Sequence, residues 1–186
     1  MQSDLTIAIG CDHAGVEYKN AIKIHLESMG IKMIDKGTNT VDSVDYPDYA
    51  HAVATAVEKQ EAEFGVLICG SANGVCITAN KHAAIRAALC WEKEIALLSR
   101  SHNNANVICL PARFVGIDAA LEMTDVFLST PFEGGRHQAA QVKRAAATRS
   151  RAKVPVRAGQ KEDCVSVKDF IVDELIYEMV IVNKSV

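Results

Sequence analysis

The chain has 186 residues, 49% of them hydrophobic and 5% aromatic, with a formal net charge of −3. That length buries one ordinary core rather than two, and so mild a charge carries no signature of nucleic-acid or membrane-surface binding, so neither is expected as a partner. Six cysteines, Cys11, Cys69, Cys76, Cys90, Cys109 and Cys164, could suggest a disulfide framework. Four of them lie in or beside apolar runs, which favours reduced thiols in a cytoplasmic protein. Met1-Gln2-Ser3-Asp4 lacks the basic and apolar regions of a secretory signal, and no apolar run approaches membrane-spanning length.

In chain order, Leu5 to Gly10 reads as a strand, and Tyr18, Ile22, Leu26 and Met29 then recur at helical spacing until Gly30. Ile31 to Ile34 is a second strand, and a helix from Tyr49 to Glu63 follows a loop around Tyr46-Pro47-Asp48. Phe64 to Cys69 is strand three, with a helix through about His82. Strand four spans Ala84 to Cys90, a helix Trp91 to Arg100, strand five Asn106 to Leu110, and a helix Ile117 to Leu128. This alternation predicts an α/β fold, a doubly wound five-stranded parallel sheet of Rossmann-like type with a C-terminal helical extension. Past the Glu133-Gly134-Gly135-Arg136-His137 turn, a further helix is expected from Gln138 to about Ala147. The domain is taken as residues 1–147 and the extension as 148–186, a linker-like segment and a helix that Ser166 would cap. Val167, Ile171, Leu175, Met179 and Val182 would share one face of that helix.

In an open parallel sheet, ligands sit beyond the carboxyl ends of the strands. Three segments qualify: Cys11-Asp12-His13, Cys69-Gly70-Ser71-Ala72-Asn73-Gly74 and Pro111-Ala112-Arg113. The second places a thiol where loop amides open a helix, an environment that favours a thiolate or a bound anion. It is not a tyrosine-phosphatase loop, because the position that needs arginine is Val75, and it has neither a Walker A ending nor the dinucleotide glycine spacing. No Cys-x-x-Cys pair exists, and Cys11 with His13 is a poor zinc set, so no metal and no cofactor is expected.

The remaining parts suit an aldose–ketose isomerisation, in which a base removes a carbon-bound proton and amide donors hold the enediolate oxygen. Arg113 and the turn ending in Arg136-His137 could hold a substrate phosphate. Taken alone, Cys69 reads more readily as a buried strand-end cysteine, Asp12-His13 as a helix cap, and Arg113 or Arg136 as a surface cation. Cys76, Cys90 and Cys109 read as core, and His25, His51 and His82 have no partner legible in the sequence. The convergence of Asp12, His13, Cys69, Ser71 and Arg113 on one sheet edge is what favours a site.

Gly10-Cys11-Asp12-His13-Ala14-Gly15, Asp35-Lys36-Gly37-Thr38, Asp45-Tyr46-Pro47-Asp48-Tyr49-Ala50, Cys69-Gly70-Ser71, Ala79-Asn80-Lys81, Ser101-His102-Asn103-Asn104-Ala105-Asn106 and Phe132-Glu133-Gly134-Gly135-Arg136-His137 occur in that order. Together they resemble the ribose-5-phosphate isomerase B and galactose-6-phosphate isomerase family over about residues 5–146. The resemblance implies interconversion of ribose 5-phosphate and ribulose 5-phosphate through an enediolate, without a metal. By position, Cys69 matches the base and His102 the residue that assists ring opening. Asp12, His13, Gly70, Ser71, Ala72, Asn73, Gly74 and Asn103 match substrate-contacting positions, Arg113 and Arg136 match phosphate-binding arginines, and Tyr46 lies in the loop lining the pocket. Ala72 stands where glycine is usual, and Ala140 where a second phosphate-binding arginine is common; Lys143 or Arg144 lies one turn further on.

His102 precedes strand five and so belongs at the amino end of the sheet, opposite Cys69. A homodimer with shared active sites would bring the two together, as the resemblance also implies, either alone or paired into a tetramer. Isomerisation of a six-carbon sugar phosphate and non-catalytic binding of a phosphosugar are the alternative readings.

Overall fold

The computed structural model describes residues 5–151, all but the last few of which belong to the compact unit Met1–Ala145. Five parallel strands, β1 (Thr6–Cys11), β2 (Lys32–Asp35), β3 (Phe64–Cys69), β4 (Ala87–Leu89) and β5 (Val107–Pro111), form one sheet in the order β2-β1-β3-β5-β4. The expected α/β sheet is thus present. Its order follows from burial. All five residues of β5 are buried, as are the interiors of β1 and β3, whereas Lys32-Met33-Ile34-Asp35 and the short Ala87-Ala88-Leu89 are only partly covered. Strands apolar on both faces occupy the middle, and the mixed ones the edges.

Helices α1 (Val16–Ser28), α2 (Tyr46–Glu58), α3 (Asn73–Ala79), α4 (Lys93–Ser101), α5 (Ile117–Ser129) and α6 (Arg136–Arg151) complete the fold. Side chains alternate across the sheet. Ile7, Ile9, Val66, Ile68, Ile108 and Leu110 pack with Ile22 and Leu26 of α1, Ala96 of α4, and Met123 and Phe127 of α5. Ala8, Leu67, Val107 and Cys109 face Ala50, Val53, Ala54 and Val57 of α2 and Val75 and Ala79 of α3. Connections therefore leave β1 and β3 toward opposite faces, which opens a crevice at their carboxyl ends.

Several boundaries differ from expectation. Tyr46-Pro47-Asp48 is the first turn of α2 rather than a loop, since proline at the start of a helix lacks only an amide that would be unpaired there anyway. α2 stops at Glu58, and Gln60 adopts φ 60°. β4 keeps only three residues, and Asn80 clamps the first of them, donating to the Ala87 carbonyl and accepting from the Ala87 amide, both at 2.9 Å. α6 begins at Arg136, two residues before the predicted Gln138. The helix expected from Ser166 lies outside the described residues.

One buried cation organises the segment after β2. Lys19 is fully buried, and its Nζ donates to Asp35 Oδ1 at 3.1 Å, the Thr38 carbonyl at 2.9 Å and Asn39 Oδ1 at 2.7 Å. Burial alone would raise the Asp35 carboxyl, but hydrogen bonds from Lys23, the Gly37 amide and Lys19 outweigh it and hold the group below the usual carboxylate range. Lys19→Met, which keeps the stem and removes three donated bonds, is expected to cost about 3 kcal/mol of stability. Urea unfolding checks this; a midpoint equal to wild type would mean that the network is dispensable.

Candidate active site

The carboxyl edge is built by extending the ladder past the strands. Cys11 pairs with Ile68 and Cys69 with Pro111. The Asp12 amide then donates to the Ile68 carbonyl at 3.3 Å, the Ala112 amide to Cys69 at 3.0 Å and the Arg113 amide to Gly70 at 3.1 Å. Three loops from three strands are thereby held side by side.

Asp12 is 4% exposed and divides its carboxylate between two tasks. Oδ1 accepts from the Ala14 amide at 3.0 Å, capping the short 3-10 turn His13–Gly15, while Oδ2 accepts from the Cys69 thiol at 2.9 Å. The cap and the site residue are one side chain. The Cys69 thiol is pushed up to about 11 by burial and then by the hydrogen bond to Asp12 and its charge; the Ala72 and Gly70 amides pull the other way and are outweighed. The expectation that loop amides would favour a thiolate is therefore corrected: the amides are in place, but the resting group is a thiol.

Ala72 takes the left-handed conformation (φ 56°, ψ 0°) at the start of α3, at a cost of about 1–2 kcal/mol for a residue with a Cβ. Its amide nevertheless bonds Cys69, so the substitution leaves this donor intact. Gly70 and Gly74 are small because neighbours lie on them. A Cβ at Gly70 would sit 3.2 Å from Arg113 Nε, and one at Gly74 would sit 2.6 Å from the Tyr46 ring. His13 Nδ1 accepts from the Val44 amide at 3.3 Å, tying down the segment before Tyr46. Asp12, His13, Tyr46, Cys69, Gly70, Ser71, Ala72, Asn73, Gly74 and Arg113 thus belong to one edge.

His102, Asn103, Arg136 and His137 belong to the other. His102 ends α4, and β5 enters the sheet at Val107, opposite Gly65 on the first rung of β3. From Gly65 to Cys69 the strand alone spans roughly 13 Å. The Glu133 amide donates to the Ser101 carbonyl at 3.0 Å, drawing the Gly134-Gly135 turn against the end of α4. The His102 and His137 rings stack at 4.1 Å and 10°, and Arg136 Nε donates to His137 Nε2 at 3.3 Å. Partial desolvation, then neighbouring His102 and Arg136, hold His137 below its ordinary range. Asn103 Nδ2 donates to the Leu98 carbonyl at 3.3 Å.

Sequence reasoning missed Trp91 and Phe114, which line a cavity of about 340 Å³ with Ser71, Asn73, Leu89 and Pro111 beside the Cys69 loop. Both are more than half exposed and follow strand ends, a signal present in the sequence. A larger cavity, about 520 Å³, opens at the amino edge among Glu63, Phe64, Arg86, Arg100 and Asn106, and no candidate site residue lines it. The histidines without legible partners have them: His25 meets Asp125 at 2.8 Å, and His51, His82 and Glu58 form a chain with links of 2.8 and 2.9 Å. Cys90 and Cys109 are core as expected, Cys76 is only partly covered, and the five described cysteines are free thiols.

Replacing the acceptor tests the Cys69 environment. Asp12→Asn removes the charge that raises the thiol and replaces one of the two acceptor oxygens by an amide donor, so alkylation of Cys69 by iodoacetamide at pH 8 should accelerate several-fold, while the wild-type rate climbs until about pH 11. An unchanged rate would mean that burial alone sets the thiol.

A parallel sheet with polar side chains gathered beyond the carboxyl ends of β1, β3 and β5 defines an α/β protein built to bind a small molecule in the crevice. The chain belongs to the ribose/galactose isomerase family, whose model matches residues 7–143. It is 48% identical over 132 residues to ribose-5-phosphate isomerase B of Escherichia coli, covering 71% of this chain and 89% of that relative. A ribose 5-phosphate isomerase from Thermotoga maritima superposes with a TM-score of 0.75 at 47% identity, over 77% of this chain and 99% of that one. Ribose-5-phosphate isomerase B from Mycoplasma genitalium, solved with bound ribulose-5-phosphate, gives 0.75 at 40% identity over 78% and 97%. Among the described residues, no helix is long and apolar enough to cross a membrane.

Proposed function

We propose that the chain interconverts ribose 5-phosphate and ribulose 5-phosphate through an enediolate, with Cys69 as base. The observation that carries this reading is the Cys69–Asp12 contact at 2.9 Å beneath the Gly70–Gly74 loop. Only about one thiol in 10⁴ with a value near 11 is ionised at pH 7, so a free thiolate is not the working form. Instead the thiol's own proton passes to Asp12 as sulfur takes the proton from substrate C2. The electron pair of the broken C–H bond becomes the enediolate double bond, and the developing oxyanion is met by loop amides and the Ser71 hydroxyl. Sulfur then delivers its proton to C1 and recovers its own from Asp12, while the O2 hydroxyl proton passes to O1, so the aldose–ketose exchange closes with no net redox change.

Arg113 at one edge and Arg136 with His137 at the other supply phosphate contacts. His102 assists ring opening. Because the two sets lie at opposite ends of one sheet, the working site is shared across a homodimer, where the partner subunit's His102 faces Cys69. The chemistry requires no metal or cofactor in this reading.

A six-carbon sugar phosphate is the second reading, since the cavity of about 340 Å³ beside Ser71 and Asn73 adjoins the Cys69 loop and its depth would set the sugar length accepted. A coupled assay with a panel of five- and six-carbon sugar phosphates tests both. Turnover of ribose 5-phosphate with the highest kcat/KM supports the first. Preference for a hexose phosphate supports the second, and binding without turnover of any member would refute the enzyme reading.

A further inference from the structure

Beside their proposed parts in ring opening and phosphate contact, His102 and His137 form a cluster with Glu133, which has no part in the proposed isomerisation. His102 Nε2 and His137 Nε2 each lie 3.7 Å from Glu133 Oε2, and all three ligand atoms lie within 4.8 Å of one another. Two imidazoles and one carboxylate are a donor set suited to zinc with one position left open. Zinc bonds of about 2.0–2.2 Å in tetrahedral geometry separate ligand atoms by roughly 3.4 Å. The His–Glu edges are thus a few tenths of an ångström too long, and the two rings, stacked within 10° of parallel at 4.1 Å, must unstack by side-chain rotation for their in-plane lone pairs to converge on one ion.

The supports are already tied together. The Glu133 amide bonds the Ser101 carbonyl at 3.0 Å, and the His137 amide bonds Gly134 at 3.0 Å, so two separate stretches of chain present their ligands to one point. In the single chain the site is reached by solvent, with side-chain exposures of 33% for His102, 59% for Glu133 and 17% for His137, and in the proposed dimer it opens into the shared crevice. His137 Nε2 accepts from Arg136 Nε at 3.3 Å, so its lone pair points outward from the ring, and the guanidinium must swing aside when a cation arrives.

We propose that His102, Glu133 and His137 form an inhibitory site for a zinc-like divalent ion. The ion occupies the His102 lone pair and displaces Arg136, removing a ring-opening group and a phosphate ligand in one event. The binding half of this inference stands on the cluster alone; the inhibition half rests on the function proposed above.

The test uses the metal-free 186-residue chain. Zinc binding is measured by competition with a chromophoric chelator, for wild type and for Glu133→Gln, a substitution at an exposed side chain with no part in the proposed chemistry. One ion per chain in the micromolar range, weakened roughly tenfold or more by Glu133→Gln, is expected. Cobalt(II) should give tetrahedral visible bands without a thiolate charge-transfer band, which separates this site from the cysteines. Isomerase activity should fall over the same zinc range and return with chelator, while Glu133→Gln stays active and resists inhibition. A sulfur-to-cobalt band, or equal zinc affinity in both proteins, would overturn the site. Binding without inhibition in an active isomerase would overturn its inhibitory role, and absence of isomerase activity would count against the proposed function while leaving the chelator result to decide the site.

Discussion

Mixing chains that carry Cys69→Ala with chains that carry His102→Ala is expected to restore about one quarter of wild-type isomerase activity, although each variant alone is nearly inactive. Random exchange makes half the dimers mixed, and each mixed dimer holds one site with both groups intact and one with neither, hence about a quarter. The prediction follows from register. Cys69 pairs with Pro111 on the last rung of β3 and β5, whereas Val107 opens the first rung and His102 precedes it. No rotamer change spans that separation within one chain. Native mass spectrometry with one variant isotopically labelled verifies exchange. No recovery after verified exchange would show that the site is not shared in this way.

Cys69→Ala should lower kcat about 10³-fold while leaving KM within about threefold, since in the proposed mechanism the thiol takes a proton but holds little of the substrate. Cys69→Ser should be nearly as impaired. Its hydroxyl can still donate to Asp12, but it is a far weaker acid than a thiol and gives up its proton reluctantly. The pair of variants separates chemistry from packing. Cys69 is only half-buried at the end of β3, so thermal stability should change little in either. A kcat within tenfold of wild type for both would move the base elsewhere, with Cys76 the nearest further thiol along the same loop and helix. Cys76 itself sits below its ordinary range because a hydrogen bond with Cys109 outweighs burial.

The resting thiol also explains how a reactive group tolerates solvent. A thiol held up to about 11 is a poor target for oxidants and alkylating agents, because the thiolate is the nucleophile. In the mechanism proposed above, the same carboxylate that suppresses the thiolate is its proton acceptor. Asp12 thereby links a helix cap and a suppressed thiolate through two oxygen atoms.

Much of this protein was legible in its residues. Strand β3 runs from Phe64 to Cys69 as its apolar run predicts, because a buried strand flanked by Glu63 and Gly70 has sharp chemical limits. The gathering of Asp12, Cys69 and Arg113 on one edge follows from strand–helix alternation alone. Boundaries governed by long-range contacts were less legible. β4 begins at Ala87 rather than Ala84, with Asn80 bonded to its first residue across seven positions, and a local pattern has no means of recording that bond. Tyr46-Pro47-Asp48 misled because proline opens helices as readily as it marks loops.

The sequence by itself determined the fold class and the edge of the sheet on which each candidate group lies, since periodicity and chain order suffice for these. Only the tertiary structure decided their state. Burial and a carboxylate at 2.9 Å, contributed by a residue fifty-seven positions away, keep Cys69 a thiol against the pull of the amides beside it. Through-space electrostatics in a low-dielectric crevice depends on distance and solvent access, and neither is written in the order of the residues.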